Sequence, residues 1–136
     1  MACPYFYPLE PRGRQTSHDA ILPLGGQWTG VCHAQPDAPT QPDDAGLRPL
    51  CNLGYARGAC PRFPASDGPD AIRFTITRDA GETIGIAYVI ERDHHPFAHG
   101  SLEYSTATDA IAGSPEGLLA RQAIAYAHSF RRRKDA

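Results

Sequence analysis

The chain has 136 residues, 21% of them charged, with a formal net charge of -2 and a pI near 6.3. That length suits one domain, residues 1–136, and is too short for two independent cores. The absence of a basic excess excludes a bulk nucleic-acid binder, and the best apolar run, Thr83 to Ile90, is far too short to cross a bilayer.

Residues 1–69 form the first half. They hold eleven of the thirteen prolines, eight of the thirteen glycines and all four cysteines. No period of 3.6 or 2 is sustained there, and segments such as Gln35 to Gly46 read as exposed loop. The half is nevertheless rich in apolar side chains: Tyr5, Phe6, Tyr7, Leu22, Leu24, Trp28, Val31, Leu50, Leu53, Tyr55 and Phe63. Ordering such a segment costs about 1–2 kcal/mol per residue in backbone entropy, which calls for a cross-link.

Residues 70–136 are patterned. Ala71 to Thr77 alternates, with Ile72, Phe74 and Ile76 on the apolar face, and predicts a strand. Arg78 to Glu82 predicts a turn. Thr83 to Arg92 alternates again, with Ile84, Ile86, Tyr88 and Ile90 inward, and its other face, Gly85, Ala87 and Val89, is small and apolar. After a polar loop containing Pro96, Gly100 to Ser105 predicts a third strand with Leu102 and Tyr104 inward. Ser114 as N-cap, Pro115 and Glu116 open a C-terminal helix whose stripe is Leu119, Ala123, Tyr126 and Phe130. The expected fold is α+β: a three-stranded antiparallel sheet with a C-terminal helix, plus an N-terminal loop-rich cysteine lobe organised around a metal centre.

The cysteines carry the chemistry. The N-terminal residues show no basic region followed by an apolar core, so the expected location is cytoplasmic, where thiols stay reduced and bind metals more often than they pair. Cys3, Cys32, Cys51 and Cys60 are spaced Cys-x28-Cys-x18-Cys-x8-Cys. No short C-x(2–4)-C knuckle aims two thiolates at one tetrahedral zinc. A 4Fe–4S cube has four diverging iron corners, and its ligands can arrive from separate loops. Proline follows Cys3 and Cys60, as it follows the last ligand of the bacterial ferredoxin run, although the full run is absent.

The expected ligands are therefore Cys3, Cys32, Cys51 and Cys60, holding one 4Fe–4S cluster, with zinc as the alternative. Tyr5, Phe6, Trp28, Tyr55 and Phe63 would wall the centre from water. Gly25, Gly26, Gly30, Gly54 and Gly58 would let backbone N–H groups approach the sulfurs. Arg57 and Arg62 would offset the thiolate charge. The corresponding role is electron transfer, redox sensing or structural support, with a redox partner protein and neither membrane nor nucleic acid as partner.

The alternatives are a zinc-stabilised interaction module and, third, an enzyme built on Asp93, His94, His95 and His99. For the histidines a solvated polar turn is the simpler expectation. His33 would replace a cysteine ligand or hydrogen-bond to the centre or, more simply, be a neighbour of the centre or an exposed residue. Arg131 to Lys134 would serve the helix end, where cations meet the last carbonyls, before it served phosphate.

Overall fold

The computed structural model describes residues 2–12, 22–35, 37–65, 68–113 and 117–134. In chain order they form β1 (Phe6–Pro11), β2 (Trp28–Cys32), a short helix α1 (Asp44–Gly46) running into a π-helical turn (Leu47–Asn52), then β3 (Ala71–Asp79), β4 (Thr83–Arg92), β5 (His95–Ser105), β6 (Ala110–Ile111) and the helix α2 (Leu118–Lys134). The expected three-stranded sheet is corrected on two counts. The meander has four strands, in the order β3-β4-β5-β6, and β1 and β2 pair antiparallel as a second sheet.

The meander follows from side-chain alternation. Ile72, Phe74, Ile84, Ile86 and Tyr104 are buried on one face, as their period of 2 requires. The β3–β4 turn closes with the Ala80 N–H on the Thr83 carbonyl at 2.9 Å, and Gly81 takes the left-handed φ of 82°. β5 begins five residues earlier than expected. Arg92 pairs with His95, and Asp93 and His94 both have positive φ (50° and 63°), the two-residue hairpin geometry that matches strand twist. Pro96 is tolerated because the register shifts between Ile90 and Glu91, and a bulge removes the demand for a ladder N–H. β6 adds Ile111 opposite Tyr104.

The first half is not held by loops alone. β1 and β2 pair from Phe6 opposite Cys32 to Pro11 opposite Trp28. Gly30 is required there, because a Cβ would stand 2.1 Å from the Tyr7 carbonyl oxygen. Asn52, fully buried, substitutes for a strand beside Trp28: its Oδ1 accepts the Trp28 N–H at 2.9 Å, and its Nδ2 donates to the carbonyls of Trp28 (3.1 Å) and Leu47 (2.9 Å). These bonds tie the first half together through protein groups.

Helix α2 joins the two sheets. Its expected stripe holds: Ala123 is buried, Leu119, Tyr126 and Phe130 pack on the core, and Tyr126 stacks on Phe74 with ring centroids 5.7 Å apart. The expected cap, Ser114 to Glu116, lies outside the described residues. A second flank, Gln122, Ala125 and Ser129, is buried as well and faces the first half. Trp28 donates from its indole nitrogen to Ser129 Oγ at 3.1 Å, and Arg121 donates to the carbonyls of Pro8 and Leu9 at 2.6 and 2.9 Å. Fully burying a side chain as large as Leu24 or Phe6 contributes about 1.5–3 kcal/mol, and both are buried here.

No helix among the described residues is long and apolar enough to cross a membrane.

Candidate metal centre

Four separate pieces of chain bring the cysteines together. Cys3 follows Ala2, which bridges to Ile72 at the start of β3 through N–H···O bonds of 2.7 and 2.8 Å. Cys32 ends β2 and is clamped by the Thr40 segment, with which it exchanges N–H···O bonds of 2.7 and 3.2 Å. Cys51 sits in the π-helical turn, and its carbonyl accepts the Cys3 N–H at 3.1 Å. Cys60 lies in a turn closed by its N–H on the Ala56 carbonyl at 2.7 Å and by the Phe63 N–H on its own carbonyl at 3.1 Å.

All four line one small, partly open cavity of about 20 Å³ with Tyr5, Phe6, Ala34, Leu50, Ala56, Arg62 and Phe63. All four are free thiols. The long gaps in the sequence reflect the separate origins of the four segments.

The thiols feel one another. Burial, with the neighbouring Cys32 and Cys60 adding to it, pushes Cys3 up to about 11, against the opposing N–H groups of Tyr5 and Phe6. Burial, then Cys3, Cys32 and Cys60, then Asp43, push Cys51 up to about 12. The Phe6 N–H donates to the Cys3 carbonyl at 3.1 Å. Arg62 brings a guanidinium to the wall and donates to Thr40 Oγ1 at 2.5 Å.

Tyr5, Phe6 and Phe63 wall the cavity as the sequence suggests, with Tyr5 meeting Phe63 edge to face at 5.4 Å. Trp28 and Tyr55 do not line it. Trp28 packs under α2, and Tyr55 belongs to a separate cluster. Of the glycines, Gly30 packs on β1, and the Gly25 and Gly54 N–H groups donate to the carbonyls of Leu22 (2.7 Å) and Leu50 (2.9 Å). Arg57 lies outside the lining, donating to Asp70 at 2.7 Å and to the Pro64 carbonyl at 3.2 Å, with its guanidinium over Phe63. His33, one residue past Cys32 in the strand direction, turns away and stacks on Tyr7 at 5.1 Å.

The geometry limits what the cavity holds. Among the described residues, no three His, Cys, Asp or Glu side chains are gathered closely enough to hold a single metal ion. The four cysteines line a cavity without forming such a group. That space, about 20 Å³, is close to the room one water needs, so a larger group requires the wall to yield. One side has somewhere to go: an open cleft of about 230 Å³, lined in part by Asp43, Leu50, Cys51, Cys60, Pro61 and Arg62, adjoins the cavity across the shared residues Leu50, Cys51, Cys60 and Arg62.

The histidine cluster does not assemble. His94 lies flat on Tyr55, with centroids 4.1 Å apart, and its N–H donates to the Tyr55 hydroxyl at 3.1 Å. The Nδ1–H of His95 donates to the Asp93 carbonyl at 2.6 Å, and His99 stands exposed opposite Val89. Tyr55 donates to the buried Glu91 in a short hydrogen bond, and burial with that bond pushes its hydroxyl up to about 12. Asp70 takes the Arg57 guanidinium on one oxygen and the Asp93 N–H, at 2.8 Å, on the other. These groups satisfy one another and tie the Tyr55 loop to the β4–β5 hairpin.

The basic C-terminus is likewise engaged. Arg133 donates to the Gly25 carbonyl, Lys134 meets Asp79 at 2.6 Å, and Arg132 lies over Trp28 at 5.5 Å.

Comparison of the chain with family models, with curated proteins and with solved structures gave no match.

Proposed function

We propose that Cys3, Cys32, Cys51 and Cys60 hold one 4Fe–4S cluster and that the protein carries single electrons, as a transfer or redox-sensing protein. The observation that carries this is the convergence of all four cysteines of the chain on one small, largely apolar cavity. The donor set fits in kind and in number: four thiols, from four segments, leave no iron corner open and favour one-electron chemistry over substrate activation. Aromatic walls from Tyr5, Phe6 and Phe63 would shield such a centre from water.

The cavity is smaller than a cluster, so loading moves the Cys51 and Cys60 walls toward the adjoining cleft. Such a protein works in a reducing compartment such as the cytoplasm, with a redox partner protein. Iron and inorganic sulfide analysis of anaerobically purified protein tests the proposal. Iron and sulfide in equal amounts are expected; stoichiometric zinc without iron overturns it.

A further inference from the structure

The basic end of α2 is divided. Arg133 donates to the Gly25 carbonyl and Lys134 meets Asp79 at 2.6 Å, so both are drawn to other parts of the chain. Arg131 and Arg132 go elsewhere. With His128 they stand at i, i+3 and i+4, the spacing that puts side chains on one helix face. These three and Pro11, the last residue of β1, line an open cleft of about 300 Å³. The cleft shares no lining residue with the cysteine cavity.

The walls are held by the core beneath them. Pro11 pairs with Trp28, which is buried and donates from its indole nitrogen to Ser129 Oγ. The Arg132 guanidinium lies over that indole, 5.5 Å from the ring centroid, and reaches Ser129 Oγ at 3.4 Å. The His128 ring meets both Trp28 and Tyr104, with centroids 6.2 and 6.1 Å away. An indole face orients a guanidinium without neutralising it.

The charge is not balanced. Among the described residues neither Arg131 nor Arg132 forms an ion pair with a carboxylate. Asp109, the carboxylate beside His128, has its Oδ1 taken by the Tyr104 hydroxyl and by His128 Nε2, each at 2.6 Å. Cations near a helix C-terminus meet the dipole favourably, which accounts for a basic last turn. It does not account for two guanidinium groups lining one cleft, where like charges repel. A guanidinium presents its donors as a planar fork that matches phosphate oxygens, and two of them compensate a dianion.

We propose that this cleft binds the phosphate group of a small phosphomonoester, with Arg131 and Arg132 as the residues that hold it. His128, fixed by Asp109, forms the adjoining wall. The volume lies at the small end of the range for small-molecule sites, about 300–1,000 Å³, and the open side leaves room for the organic part of the ester. The site is independent of the cysteine cavity and of what that cavity holds.

Isothermal titration calorimetry of the full chain with methyl phosphate and with inorganic phosphate, at constant ionic strength, tests the proposal. Saturable binding of methyl phosphate, one per chain, is expected. Arg131→Gln and Arg132→Gln should each weaken it by about tenfold or more, the loss of one charge-assisted contact. Lys134→Gln removes the same charge from the same helix end, away from the cleft, and should leave binding unchanged. Equal weakening in Lys134→Gln overturns the site, because net charge alone then accounts for it. Binding of inorganic phosphate alone overturns the ester assignment. A wild type that does not bind methyl phosphate overturns the proposal, whether or not a single-stranded DNA oligonucleotide or phosphatidylglycerol vesicles bind. Should an arginine variant fail to fold, the amide shifts of wild type titrated with methyl phosphate decide. Changes centred on Arg12 and residues 128–132 are expected, and changes centred elsewhere overturn the site.

Discussion

The Cys3 N–H donates to the Cys51 carbonyl at 3.1 Å, so two cysteines 48 positions apart are neighbours through backbone before any centre joins them. Cys3 is further held by the Ala2–Ile72 bridge and by Gln122, whereas Cys51 and Cys60 also face the outer cleft. The cavity therefore has a fixed side and a side open to movement. Replacing any one of Cys3, Cys32, Cys51 or Cys60 with serine should abolish stable cluster binding. Iron content after anaerobic reconstitution measures it; full iron in all four variants would exclude these residues as the ligand set.

The asymmetry predicts where loading is felt. Amides in residues 47–62 should change their hydrogen exchange on reconstitution more than those of β3 and β4, which lie in the meander away from the cleft. Mass-spectrometric exchange of metal-free and loaded protein makes the comparison. Change spread evenly over the chain would contradict it.

Asn52 is the group that ties the Cys51 turn to β2. Asn52→Leu leaves the Trp28 N–H and the Trp28 and Leu47 carbonyls without their partners, at about 1–3 kcal/mol for each group that stays buried and unpaired. Urea unfolding of the metal-free variant should show a loss of at least ~2 kcal/mol. Unchanged stability would mean that water or another group replaces the amide.

Asp70 gives the fold an acid limb. Burial acts to raise its pKa, but the Arg57 hydrogen bond, the Asp93 N–H and the charges of Arg57 and Arg92 outweigh burial and hold the carboxyl below its ordinary 3.8. The unfolded chain therefore takes up the proton first as pH falls. Stability due to this group is complete above the ordinary carboxylate range and is lost as pH drops through it. Asp70→Asn should flatten that part of the stability curve relative to wild type. Asp109, held low in the same sense by Tyr104 and His128 despite its burial, keeps its own contribution in both proteins. Parallel curves for wild type and Asp70→Asn below pH ~4 would contradict the assignment.

Gly30→Ala tests the second sheet. A Cβ there meets main chain, at 2.1 Å from the Tyr7 carbonyl oxygen, so β1 and β2 must part. The expected cost is at or beyond the upper end of the ~1–3 kcal/mol usual for overpacking, with iron binding lost alongside because Cys32 ends β2. A variant that keeps wild-type stability and iron would refute the pairing.

The legible parts of the sequence were those whose pattern has a single physical cause. Strict alternation placed Thr83–Arg92 to the residue, and the helix stripe from Leu119 to Phe130 marked the face that meets the sheet. The clustering of every cysteine in one half marked the candidate site, and the structure brings all four to one cavity.

The misses have physical reasons too. β1 and β2 hide behind Pro8, Pro11 and Gly30, which break any propensity signal, and β1 also carries a register shift. β6 is two residues long. Pro96 masked the start of β5 because a bulge absorbs it, which no local pattern announces. Gln122, Asn52 and Asp70 are polar and so read as solvent-facing, although each is buried by partners more than twenty residues distant or across the sheet. Their signal is tertiary.

The central claim is that these four thiols share one iron–sulfur cluster. Its most direct measurement is the visible spectrum of protein reconstituted anaerobically with iron and sulfide, recorded before and after reduction, alongside the same treatment of Cys51→Ser. Wild type should show broad visible absorption that bleaches on taking up one electron, and Cys51→Ser should lose it. A colourless wild type, or colour equal in both proteins, would contradict the claim.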